Sequence, residues 1–167
     1  MKRSLFVAGL ALATLGASCP LRTDRIGRAE MYWLMNRACW TGDEIGVEML
    51  LKAGADPDGV RDYKAFHQSR YQIGLEPSWP INMAADGGHA EIIRLLLRAG
   101  ANPHAPEDEG QTALTIAAAR GHLEVVRLLL QAGVDKAYLG PMGTAEETAR
   151  RSGHEEVADA IRRFPGK

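Results

Sequence analysis

Apolar residues recur along the chain in short blocks that fit one side of a helix. In Glu124-Val125-Val126-Arg127-Leu128-Leu129-Leu130, the residues Val125, Leu128 and Leu129 fall at i, i+3 and i+4. Thirty-three residues earlier, Glu91-Ile92-Ile93-Arg94-Leu95-Leu96-Leu97 repeats the pattern with Ile92, Leu95 and Leu96. Each block opens with a carboxylate, which suits the positive end of a helix dipole. Each is followed by a glycine, Gly100 or Gly133, suited to a left-handed C-terminal cap. Pro103 then prevents the helix from restarting inside the turn. A shorter block precedes each: Trp79-Pro80-Ile81-Asn82-Met83-Ala84-Ala85 and Thr112-Ala113-Leu114-Thr115-Ile116-Ala117-Ala118. Pro80 suits the first helical position, and the paired alanines remove bulk so that a second helix can approach closely. The pattern predicts a two-helix unit, used more than once.

Glycine–histidine pairs set the period. Gly88-His89 and Gly121-His122 are 33 residues apart, and Gly153-His154 follows after 32 more. Self-similarity at this spacing marks a repeat architecture. Neither helix buries its apolar face alone, so the units must stack into a continuous core. A degenerate first unit precedes these. Glu30 to Trp40 is helical in pattern, with Met31, Leu34, Met35 and Ala38 along one side. Ala38-Cys39 takes the place of the paired alanines, Gly42-Asp43 that of Gly-His, and Met49-Leu50-Leu51 that of the triple leucine. Gly54-Ala55-Asp56-Pro57 closes the unit. Gly46 weakens its second helix by up to about 1 kcal/mol relative to alanine, which makes this the softer end. The last unit is polar: Glu146 replaces a leucine and Arg150 the second alanine, as befits a terminal repeat with no outer neighbour.

The residues T-A-L-T-I-A-A, Gly-His, E-V-V-R-L-L-L and A-G-V-D resemble the ankyrin repeat over roughly 33–163. The resemblance implies an all-α solenoid of about four helix–turn–helix units with hairpin loops and one extended inter-repeat insertion. It also implies protein binding rather than catalysis. The expected layout is a signal peptide (1–18), a spacer or cap (19–29) and a repeat domain (30–163). The repeats run over about 30–57, 77–103, 110–136 and 142–163, with an insertion at 58–76 and a tail at 164–167.

Candidate binding residues follow from departures within the pattern. Trp40 sits just after the small pair, a variable position that the resemblance places on a concave groove. Tryptophan is enriched at binding hot spots; packing against the cap or the neighbouring loop is the alternative. Asp86 and Arg120 are weaker groove candidates. The insertion interleaves arginine with aromatics, and Tyr63, Phe66, Arg70 and Tyr71 read as a recognition surface. The alternative is an extended hairpin whose aromatics pack on the first two repeats. Glu107, Asp108 and Glu109 make an acidic loop tip that either meets a basic partner or is simply solvated. Trp79 stands where threonine is usual and Asn82 where histidine is usual, and Trp79 is expected to close the core.

The charge balance, 20 basic against 21 acidic residues, gives no electrostatic case for nucleic acid or an anionic membrane. The partner expected is another protein, of unknown identity, bound by a monomer. The N-terminus adds a compartment. Met1-Lys2-Arg3-Ser4 is followed by the apolar run Leu5–Leu15 and by Gly16-Ala17-Ser18, the layout of a bacterial secretory signal. Cys19 directly after the small residues resembles a lipidation box. That box normally has leucine three residues before the cysteine, and here Leu15 is four before. Lipid anchoring at Cys19 and plain cleavage near Ala17 both stay open, with the periplasm as the expected location and secretion as an alternative. Two cysteines make no disulfide framework, and Cys39 reads as a small core residue.

No nucleophile–base motif, phosphate-binding glycine loop or metal-ligand spacing is present, so no enzyme activity, cofactor or metal is expected. Histidines one repeat apart are too far from each other to share an ion at ~2 Å. An immunity or inhibitor role, plugging a toxin or hydrolase, is the alternative form of protein binding.

Overall fold

The computed structural model describes residues 28–59, 78–105 and 110–165. These hold eight helices: α1 Arg28–Thr41, α2 Glu44–Lys52, α3 Pro80–Gly87, α4 Ala90–Arg98, α5 Ala113–Arg120, α6 Leu123–Gln131, α7 Ala145–Arg151 and α8 Glu155–Arg163. Among the described residues there is no strand, only an isolated antiparallel bridge between Gly140 and Gly143. Consecutive helices pair as α1–α2, α3–α4, α5–α6 and α7–α8. The odd-numbered helices touch each other in order to form an inner row, and the even-numbered helices form an outer row. This is the all-α solenoid that the repeat pattern implies.

The inner row is built on small residues. Cys39, Ala84, Ala85, Ala117, Ala118 and Ala149 are fully buried, and Ala38 nearly so. With almost no side chain between them, adjacent backbones close up until larger residues from both rows interlock around the seam. Arg150 ends the series, exposed in the fourth described repeat and paired at 2.7 Å with Glu146. On the outer row the buried arc is wider than an i, i+3, i+4 stripe. Ile92, Ile93 and Leu96 are sealed, as are Val125, Val126 and Leu129, whereas Leu95 and Leu128 are half-buried. The reason is geometric: each outer helix faces its own inner helix and also the next outer helix. Each such side chain contributes roughly 1.5–3 kcal/mol of burial.

The Gly-His pair works across the junction. Gly88 has φ 74° and ends α3 as a left-handed cap, with Gly42 and Gly121 in the same role. A Cβ on Gly88 would lie 2.7 Å from the His122 ring. The ring of each later repeat thus rests on the bare glycine of the one before, His89 over Gly42 and His154 over Gly121. His122 Nε2 stands 3.1 Å from the Asp86 carbonyl, and His89 Nε2 stands 3.1 Å from the Trp40 carbonyl. A carbonyl only accepts, so in both rings Nε2 is the donating nitrogen. The histidines are spent one per junction, and among the described residues no three His, Cys, Asp or Glu side chains gather as a metal site.

Loop starts repeat as well. Asp56, Asn102 and Asp135 each accept the backbone N–H two residues on, at 2.9–3.0 Å, closing the same turn three times. Asp58 also accepts the Asn102 N–H at 2.6 Å, tying the first loop to the second. The two ends of the insertion meet at one side chain. The Tyr32 hydroxyl donates to the Ser78 carbonyl at 2.7 Å, and the Tyr32 ring lies directly against Gly59.

Helix starts divide the stack in two. Thr112 with Thr115, and Thr144 with Glu147, form reciprocal capping boxes on α5 and α7. Asp43 caps α2 by accepting the Gly46 N–H at 2.9 Å. A Cβ on Gly46 would sit 2.5 Å from that carboxylate, so the glycine makes room for the cap and offsets part of its own cost. At the start of α3, Trp79 offers no side-chain cap, though it does pack on the core as the sequence suggests. Asn82 is fully buried there with neither amide atom hydrogen-bonded. Asn82→Thr lets a hydroxyl reach the Trp79 carbonyl as Thr115 reaches Thr112, at 2.9 Å. It should raise the urea midpoint at unchanged slope, a gain in stability of about 1 kcal/mol; a lower midpoint would show that the core depends on the carboxamide.

Candidate functional site

Trp40 lies in the last turn of α1 with 51% of its surface exposed. Its carbonyl receives His89, and the carbonyl of Asp86 receives His122, which puts the two residues at the same place in successive repeats. Half of the Trp40 side chain is thus left on the surface of the described residues. Asp86 and Arg120 are brought together: Arg120 Nε donates to Asp86 Oδ1 at 2.7 Å across the junction. They satisfy each other, so the sequence expectation of two separate groove contacts becomes one ion pair beside Trp40. Ile45, in the first turn of α2, is 72% exposed where the other repeats carry Glu91, Glu124 and Glu156. The first helix–turn–helix corner therefore shows solvent both a tryptophan and an isoleucine.

A second surface was not singled out from the sequence. The loop from α6 to α7 turns at Gly140-Pro141-Met142-Gly143, closed by Gly140 N–H to Gly143 O at 3.2 Å and Gly143 N–H to Gly140 O at 3.0 Å. Tyr138, Leu139 and Met142 are all exposed on it, Leu139 at 73%. The hairpin is braced from behind, since Gly110 lies against the Pro141 ring and near the Tyr138 hydroxyl. The signal was legible: Tyr-Leu-Gly-Pro-Met-Gly puts three large apolar residues in a turn that has no core to serve. Gly110 leads into the start of α5, whereas Trp40 ends α1. The two surfaces therefore lie at opposite ends of the inner helices, Trp40 near a C-terminal end in the first repeat and the hairpin near the N-terminal ends in the third and fourth.

A family model for ankyrin repeats, three copies, matches residues 37–139 and 81–162. The chain belongs to the ankyrin-repeat family. Ankyrin repeats are in general protein–protein interaction modules and typically non-enzymatic. Among curated proteins, the chain is similar to the human "Ankyrin repeat and KH domain-containing protein 1", 38% identical over 78 residues. That match covers 47% of this chain and 2% of the relative. It is also similar to the mouse "Transient receptor potential cation channel subfamily V member 5", 36% identical over 70 residues, covering 42% of this chain and 10% of the relative. An Arabidopsis thaliana "ADP-ribosylation factor GTPase-activating protein AGD4" is 31% identical over 81 residues, covering 48% of this chain and 9% of the relative. The chain thus spans a tenth or less of the length of these relatives.

The remaining candidates, Tyr63, Phe66, Arg70 and Tyr71 in the insertion, Asp108 and Glu109 at the second tip, and Cys19, lie outside the described residues. No helix among the described residues is long and apolar enough to cross a membrane.

Cys39 is the one thiol in the described ankyrin core, fully buried at the α1 seam. Burial disfavours the thiolate and pushes its pKa up to about 12 from 9.0. The sign is that of a raised pKa. The contribution of the neutral thiol to stability is complete below the ordinary value of 9.0 and is lost as pH climbs towards about 12. In a Cys19→Ser background, a thiol reagent at mildly alkaline pH should label the unfolded chain at once and leave the native chain unlabelled. Rapid native labelling would contradict a sealed seam.

Proposed function

We propose that this chain is an exported ankyrin-repeat module that binds another protein along the exposed ends of its inner helices and at its loop tips. The observation that carries this reading is Trp40. It is a large apolar side chain that no packing requirement holds at the surface, with 51% of its area in water. Its carbonyl is what the junction uses; its ring is left over for a partner. Side chains of this kind dominate binding energy when a partner desolvates them. The Asp86–Arg120 pair alongside offers polar groups for the rim of such a contact. Export rests on the N-terminal charge, the apolar run and the small residues before Cys19. It places the module in the periplasm, with a lipid at Cys19 as one way of holding it at a membrane.

The test compares Trp40→Ala with the wild-type chain, first in affinity capture from an envelope extract and then by titration of the captured protein. A dissociation constant raised by about tenfold or more, equivalent to 1.4 kcal/mol, with an almost unchanged melting temperature is expected. Intact affinity with a collapsed melting temperature would return Trp40 to a packing role and remove the main support for this surface.

A further inference from the structure

We propose that the hairpin tip Tyr138–Met142 docks a segment of a partner protein in which apolar side chains stand beside lysine or arginine. The inference rests on the protein-binding reading above and adds a second contact of defined chemistry. Three features of the tip carry it. The apolar content is concentrated, with Tyr138, Leu139 and Met142 exposed within five residues and Pro141 exposed between them. The conformation is set in advance by the reciprocal Gly140–Gly143 hydrogen bonds and by the backing of Gly110. A contact made there loses little freedom on binding.

Charge selects the partner. Asp135 and Glu147 flank the hairpin, both exposed. Among the described residues their carboxylates accept only backbone N–H groups, from Ala137 and Thr144, and neither takes part in an ion pair. The nearby cation, Lys136, is turned away, with its ammonium donating to the Phe164 carbonyl at 2.6 Å. An apolar tip edged by carboxylates attracts a cationic, apolar segment. The same carboxylates oppose an anionic lipid surface, where apolar insertion is normally assisted by basic residues.

The experiment pans a display library of random dodecapeptides on the full chain, with Leu139→Ser and Met142→Ser as comparison chains. Both replaced side chains are exposed, and circular dichroism confirms the fold of each variant. Expected are peptides with a large apolar residue next to lysine or arginine, weakened by salt and binding each variant at least about tenfold less tightly. Peptides that bind through Trp40 and ignore the tip variants would overturn the tip assignment while leaving the protein-binding reading in place. Acidic or uncharged binders, or no enriched peptide at all, would overturn the stated chemistry. Self-association lost on Leu139→Ser would replace it with a second copy of this chain. Binding to anionic vesicles lost on the same substitution would replace it with a membrane.

Discussion

The fold depends on how closely one inner helix can approach the next. Paired small residues hold the backbones together in the seam, and a glycine without a Cβ leaves a floor on which the following repeat's histidine rests. The ring then donates to a carbonyl of the preceding inner helix. Bulk is excluded on one side of the junction and a polar tether is supplied on the other. Each unit is therefore set by its neighbour, and a solenoid results rather than a globule.

That constraint also decides which side chains are free for function. Residues that serve the junction are buried or spoken for, including His89, His122 and His154, the glycines beneath them and Cys39. The large apolar side chains left exposed among the described residues fall at opposite ends of the inner helices. At one end Trp40 and Ile45 mark the first corner; at the other the Tyr138–Met142 hairpin projects from the loop before the last repeat. The helix starts are graded in the same direction. The later repeats carry reciprocal caps, while the second has an uncapped Trp79 and an unpaired, buried Asn82 where the insertion rejoins the stack. A repeat with fewer local restraints next to a long insertion is the part of the stack best able to adjust to a partner.

The repeat was legible because its period, its glycines and its alanine pairs are each required by the same junction, so they recur together. The two-row layout followed from that. The width of the outer buried arc did not, because a helical stripe read from one strand of sequence takes no account of the neighbouring outer helix that seals Ile93 and Val126. Arg120 and Asp86 were legible as polar positions near a groove, but not as partners, since their contact spans two repeats. Gly46 read as a weak point because propensity counts only the residue itself. Its value lies in the space it leaves for the Asp43 carboxylate. The apolar hairpin at 138–142 was not marked by the repeat pattern, because it lies in a connection between units and its exposure is set by tertiary structure.

The account is tested most directly by a double-mutant cycle on Gly88→Ala and His122→Ala, read from denaturant unfolding. Gly88→Ala alone places a Cβ 2.7 Å from the ring at a φ of 74°, adding steric conflict to left-handed strain. With His122→Ala also present, the conflict disappears and only the strain is left. The account predicts that the double variant is more stable than the sum of the singles implies, by about 1 kcal/mol or more. Additivity within about 0.5 kcal/mol would contradict a stack held by histidine on glycine.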